Sequence, residues 1–94
     1  MTGTNKNDRE TRQRLLMALH QELVARDLRV VIRKPRNGLW KLKLRHGLWT
    51  ETVMCAGSEG AYAFVTPHGR LLGSADDLGG TVDLLRFMLI RRQR

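Results

Sequence analysis

Seven lysines and arginines, and no acid, lie between residues 28 and 50: Arg29, Arg33, Lys34, Arg36, Lys41, Lys43 and Arg45. Lys41, Lys43 and Arg45 alternate with Trp40, Leu42 and Leu44. Successive side chains on a β-strand point to opposite faces, so this spacing predicts an apolar face backed by a row of cations. Such a row can contact successive phosphates, each neutralised phosphate releasing its counterions. Arg29, Arg33, Lys41, Lys43 and Arg45 are therefore the candidate polyanion-binding residues. A solvated outer face, whose lysines and arginines discourage edge-to-edge pairing, accounts for the same pattern without a ligand. Trp40 and Trp49 are candidate stacking platforms for bases. The alternation nevertheless puts Trp40 opposite the cations, on the side of the core.

Other reactive side chains are sparse. His20, His46 and His68 do not stand at metal-ligand spacing with Cys55 or with an acidic pair, so neither a metal nor a cofactor is expected. Cys55, His68 and Asp76 or Asp77 can be drawn as nucleophile, base and orienter. Cys55, however, falls in a strand, away from any helix N-terminus or nucleophile motif, and reads as a small buried cysteine. No catalytic residue is assigned, and the chain is not expected to be an enzyme. Gly57-Ser58-Glu59-Gly60 has the GxxG form that clamps a nucleic-acid backbone in KH domains. There the loop joins two helices; here it lies between strands and carries an acid, which points to a hairpin loop. Asp76-Asp77 suits a helix N-terminus, and the basic end, Arg91-Arg92-Gln93-Arg94, complements a helix C-terminus.

Composition bounds the rest. Ninety-four residues, 41% of them apolar and 28% charged, fit one domain with a modest core. No apolar run is long enough to cross a membrane, and Met1 to Arg14 resembles no signal peptide, so the expected address is cytoplasmic. A single cysteine excludes an internal disulfide. The net charge of +8 is unevenly placed: residues 1–14 contribute +2, residues 86–94 contribute +4, and residues 15–85 contribute +2. The acid-free stretch is balanced by Glu22, Asp27, Glu51, Glu59, Asp76, Asp77 and Asp83. Such an asymmetric charge orients a partner rather than coating the whole surface.

The elements that must position these residues follow from periodicity. Residues 1–8 are rich in Thr, Asn and Gly and read as a disordered tail. Asn7, with Glu10 three residues on, resembles a capping box. Leu15, Leu16, Leu19 and Leu23 then recur at helical spacing up to about Asp27. Leu28 to Arg33 reads as a strand, Lys34-Pro35-Arg36-Asn37-Gly38 as a turn and Leu39 to Arg45 as a second strand. A third strand follows around Trp49 to Cys55, then an apolar one from Ala61 to Thr66. Pro67-His68-Gly69-Arg70 forms a turn, and Leu71-Leu72 is a candidate further strand. Ser74 and Asp77 offer a second capping box, opening a helix to about Ile90 weakened by Gly79-Gly80. The expected fold is α+β: a single domain over 9–90 with an N-terminal helix, a three- to four-stranded antiparallel sheet and a C-terminal helix. Both helices lie on one sheet face, and residues 91–94 form a basic tail.

Helix, three strands, helix is also the order of double-stranded RNA-binding domains, which this chain resembles in topology. Their second helix begins lysine-rich, whereas Asp76-Asp77-Leu78-Gly79-Gly80 is acidic and Gly-rich, so their function is not carried over. Ala61 to Leu72 followed by Gly73-Ser74-Ala75-Asp76-Asp77-Leu78 is similar to the C-terminal part of small uncharacterised actinobacterial proteins with an ADDL helix start. That resemblance implies an accessory, regulatory role and no catalytic residues. The leading functional expectation is a non-catalytic module that binds another protein or a second copy of itself. The alternative is nucleic-acid binding through the basic hairpin. No membrane and no small-molecule ligand is expected.

Overall fold

The leucine stripe at 16, 19 and 23 continues backwards through Arg12 to Asp8, and one helix carries all of it: α1, Thr2–Ala25. The computed structural model describes residues 2–36 and 39–92, with side chains for 7–36 and 39–91. Five strands follow, β1 (Arg29–Arg33), β2 (Lys41–His46), β3 (Trp49–Ser58), β4 (Ala61–Val65) and β5 (Leu71–Ser74), and then α2 (Leu78–Arg92). The strands pair antiparallel in chain order, so the sheet is a meander with β1 and β5 at its edges. The α+β class is as expected, but the sheet has five strands rather than three or four. Leu71–Ser74 pairs with β4 through Leu71, Gly73 and Ser74 and is a strand in its own right.

Two boundaries also move. Residues 2–8 are helical instead of a tail, and Asp8 is buried. Asp77, not Ser74, caps α2: its Oδ1 accepts the Gly80 N–H at 3.0 Å, and its carbonyl accepts the Thr81 N–H. Ser74 instead closes a turn, accepting the Asp76 N–H on Oγ and the Asp77 N–H on its carbonyl. The helix proper therefore begins at Leu78 and reaches Arg92, two residues into the expected basic tail. In the expected Lys34–Gly38 turn, Asn37 and Gly38 lie outside the described residues.

α1 ends in a Schellman closure. The Leu28 N–H bonds to the Leu23 carbonyl and the Asp27 N–H to the Val24 carbonyl, with Asp27 at φ +62°. This turns the chain directly into β1.

The core is one cluster. Leu16, Leu19 and Leu23 of α1 meet Leu42 and Leu44 of β2, Val53, Phe64, Leu72, and Val82, Leu85, Met88 and Leu89 of α2. Register explains the choice of side. Val30 and Ile32 lie opposite Leu44 and Leu42, Leu42 opposite Val53, and Cys55 opposite Phe64, so these residues share the face that both helices cover. Burying a side chain the size of Phe64 contributes about 3 kcal/mol. Between Phe64 and Val65 the β4–β5 register slips, leaving Leu72 as an extra residue beside Gly73. That bulge turns Leu72 into the core while Leu71 stays exposed. A Cβ on Gly73 would lie 2.1 Å from the buried Thr81 Oγ1, so the bare backbone at Gly73 lets α2 close on β5.

β3 is shared between its neighbours. Its first half, Trp49–Val53, pairs with β2, and its second half, Met54–Ser58, pairs with β4. The β1–β2 and β3–β4 hairpins are therefore offset along β3, in a molecule measuring 48 × 26 × 25 Å.

Candidate polyanion-binding face

With both helices on one side, the other side of the sheet is open. Arg29, Val31 and Arg33 of β1, Lys41, Lys43 and Arg45 of β2, and Thr50 and Thr52 of β3 project there. The three arginines are exposed and the two lysines half-buried. All five cations proposed from sequence thus come together on one surface. Register adds what alternation cannot supply. Arg29 lies directly opposite Arg45, Arg33 opposite Lys41, and Lys43 opposite Val31. Two of the three rungs that this hairpin presents on the open face are therefore cation against cation. Like charges directly opposite on a sheet destabilise it by about 0.2–1 kcal/mol per pair.

Among the described strand residues, no acid shares the face to relieve that repulsion. The Glu22–Arg26 ion pair lies at the C-terminal end of α1, away from this face. Glu51 lies opposite Leu44 and so belongs to the helix side. Neighbouring cations along β2 are about 6.6 Å apart, those along β1 about 13 Å, and those across a rung about 5 Å. This spacing lets an extended anionic chain meet one cation after another. Beside the cations, Thr50 and Thr52 supply hydroxyls, and farther across the sheet the face becomes small and apolar at Ala63 and Val65.

The aromatic residues are elsewhere. Trp40 and Trp49 are half-buried and packed against the core, and the Lys34 Nζ sits 4.9 Å from the centre of the Trp40 ring. Tyr62 and Phe64 share the helix-covered side by register. The open face consequently offers cations and hydroxyls but no ring for a base to stack on.

The remaining sequence candidates do not converge. Burial pushes the Cys55 thiol up to about 11, so it stays protonated at neutral pH and is a poor nucleophile. Beside it is a cavity of about 20 Å³, lined in part by Arg12, Leu16 and Trp40, with room for about one water. His68 sits in the Pro67–Arg70 turn, where Thr66 accepts the Gly69 N–H on its carbonyl and the Arg70 N–H on Oγ1. No three His, Cys, Asp or Glu side chains gather among the described residues. Gly57 and Ser58 belong to β3. Glu59 and Gly60, at φ +53° and +87°, make the two-residue turn that closes the hairpin.

Sequence reasoning missed the clasp at that turn. Asp8 accepts the Tyr62 hydroxyl at 2.6 Å and the Glu59 N–H at 3.0 Å, and Arg12 donates to the Gly57 carbonyl at 2.8 Å. The available signal was the i, i+4 continuation of the leucine stripe through Arg12 to Asp8. The Tyr62 hydroxyl, then the Glu59 N–H and the Arg12 charge, hold the Asp8 carboxyl below its usual value against the opposing effect of burial. A depressed native value means that the clasp adds stability above the unfolded value near pH 4 and loses it as pH falls through the native one. The melting-temperature difference between the wild type and Asp8→Asn should therefore be constant from pH 5 to 7 and shrink below pH 4. A difference independent of pH would remove Asp8 from this role.

No protein-family model, curated protein or solved structure matches the chain. Function is therefore read from the site itself. No helix among the described residues is long and apolar enough to cross a membrane.

Proposed function

We propose that this protein is a non-catalytic binding module whose open β1–β2 face holds the phosphate backbone of a nucleic acid. The supporting observation is the pairing of Arg29 with Arg45 and of Arg33 with Lys41 on an exposed face lacking acids. On a merely solvated surface, like charges on the same rung cost stability, whereas a bound polyanion converts each repulsion into attraction. Without aromatic residues on that face, recognition runs through phosphate and sugar, and base sequence matters little.

A salt titration tests the reading. With five cations, the plot of log K against log salt should have a slope no steeper than about −3.5 for a single strand and −4.5 for a duplex. Absence of binding to DNA and RNA at low salt would sink the proposal.

That outcome would favour a protein partner, for which a different surface speaks. Leu71, Phe87 and Ile90 are exposed, and Arg70, Phe87, Met88 and Arg91 line an open groove of about 430 Å³ between β5 and α2. The Arg91 guanidinium lies 5.6 Å from the Phe87 ring centre. An apolar floor rimmed by arginines suits an amphipathic segment with acidic flanks. The same arginines would repel each other across a two-fold contact between copies.

A further inference from the structure

One rung of the basic hairpin differs from the others. Arg29 and Arg45 form the last pair of the β1–β2 ladder before the β2–β3 turn, and both line an open cavity of about 360 Å³. Leu28, His46, Gly47 and Asp27 complete the wall. At Gly47 the space is open enough that an added Cβ would meet no heavy atom within 4 Å. Within this wall the charge changes sign at Asp27, two residues past the end of α1, and the C-terminal end of a helix carries partial negative charge. An anionic strand lying along Arg33, Lys41 and Lys43 therefore meets two guanidiniums and then an acidic stop.

We propose that the Arg29–Arg45 rung and its cavity bind the terminal phosphate of a nucleic-acid strand. This rests on the polyanion reading of the same face and deepens it from backbone contact to recognition of an end. An internal phosphodiester carries one charge and must continue in both directions. A terminal phosphate monoester carries nearly two charges at neutral pH and leaves one side free. Two arginines facing each other match such a dianion, since each guanidinium presents a planar fork of donors to its oxygens. The open cavity of about 360 Å³ has room for a phosphate group. The two guanidiniums outweigh the single Asp27 carboxylate in the same wall, which repels any further phosphate of a chain that runs on.

Fluorescence anisotropy on the full chain distinguishes the two levels of the proposal. One short oligothymidine is compared with a 5′-phosphate, a 3′-phosphate or hydroxyl groups at both ends, at constant salt. The expected result is at least about tenfold tighter binding of one phosphorylated form than of the hydroxyl form, as one charge-assisted contact can supply. Arg45→Gln should bring that ratio close to one. Lys41→Gln, at the far end of the row, should weaken all three ligands alike and keep the ratio. Melting curves of both variants verify that each is folded. Equal affinity for all three ligands, or an unchanged ratio in Arg45→Gln, overturns end recognition and leaves the backbone reading standing. Failure of all three to bind overturns both.

Discussion

Replacing Lys41 and Lys43 together by glutamate should lower nucleic-acid affinity about 100-fold at low salt while making the protein more stable, not less. The loss follows from exchanging two phosphate-neutralising cations for two repelling anions, at about 1.5 kcal/mol or more each. The gain follows from register. Lys41 faces Arg33 across the rung, so a glutamate there converts a repelling pair into an attracting one. That swing is about 1 kcal/mol, or roughly 4–8 °C in melting temperature for a domain of this size. Opposite movement of binding and stability is the signature of a surface kept for a ligand at the expense of the fold. If the face were only solvated, the double substitution would leave binding untouched. Gel-shift titration and thermal unfolding of the same protein read both quantities, and unchanged affinity would end the proposal.

Gly57→Ala should destabilise the protein by about 3 kcal/mol, a substantial part of the 5–15 kcal/mol typical of a whole domain. Gly57 has φ +118°, a region that side-chain-bearing residues rarely enter, and an added Cβ would lie 2.1 Å from the Ala61 carbonyl oxygen. Both objects in that collision are backbone on paired strands, so neither can swing aside as a flexible side chain would. Strain of about 1–3 kcal/mol therefore adds to an overpacking cost of similar size. The damage also falls where Arg12 holds the Gly57 carbonyl and Asp8 holds Glu59 and Tyr62, so α1 loosens with the hairpin. Gly47→Ala provides the comparison. Its φ is +59°, but no heavy atom lies within 4 Å of an added Cβ, so its cost stays near 1 kcal/mol. Thermal unfolding followed by circular dichroism should separate the two variants by about 10 °C. Equal shifts would mean that the β3–β4 hairpin has room the backbone geometry denies.

The parts of the fold legible in the residues are those governed by neighbours a few positions away. The helical spacing of Leu16, Leu19 and Leu23 predicts α1 as a core helix, and all three are buried. Alternation over residues 40–45 predicts Leu42 and Leu44 inward and the cations outward, which is their arrangement. The pattern fails where a distant segment decides. Asp8 looks like part of a polar tail until the β3–β4 turn, some fifty residues away in the chain, supplies two donors to its carboxylate. Leu71 and Leu72 look equivalent until the bulge opposite Phe64 turns one inward and leaves the other in solvent. Ser74 and Asp77 compete for one cap, and the turn that brings the chain off β5 leaves Asp77 in the capping position.

The acid-free run of cations follows the same division. Residue types and spacing alone determined that Lys41, Lys43 and Arg45 share a face away from Leu42 and Leu44, because pleat alternation is a property of the local backbone. They also determined that no acid lies within the run to neutralise them. Only the tertiary structure decided that Arg29 faces Arg45 and Arg33 faces Lys41, since pairing register depends on how two separate segments dock. Only the packing of both helices on the opposite side left those pairs open to solvent. A row of charges is local chemistry; a repelling array on one open face requires the whole sheet.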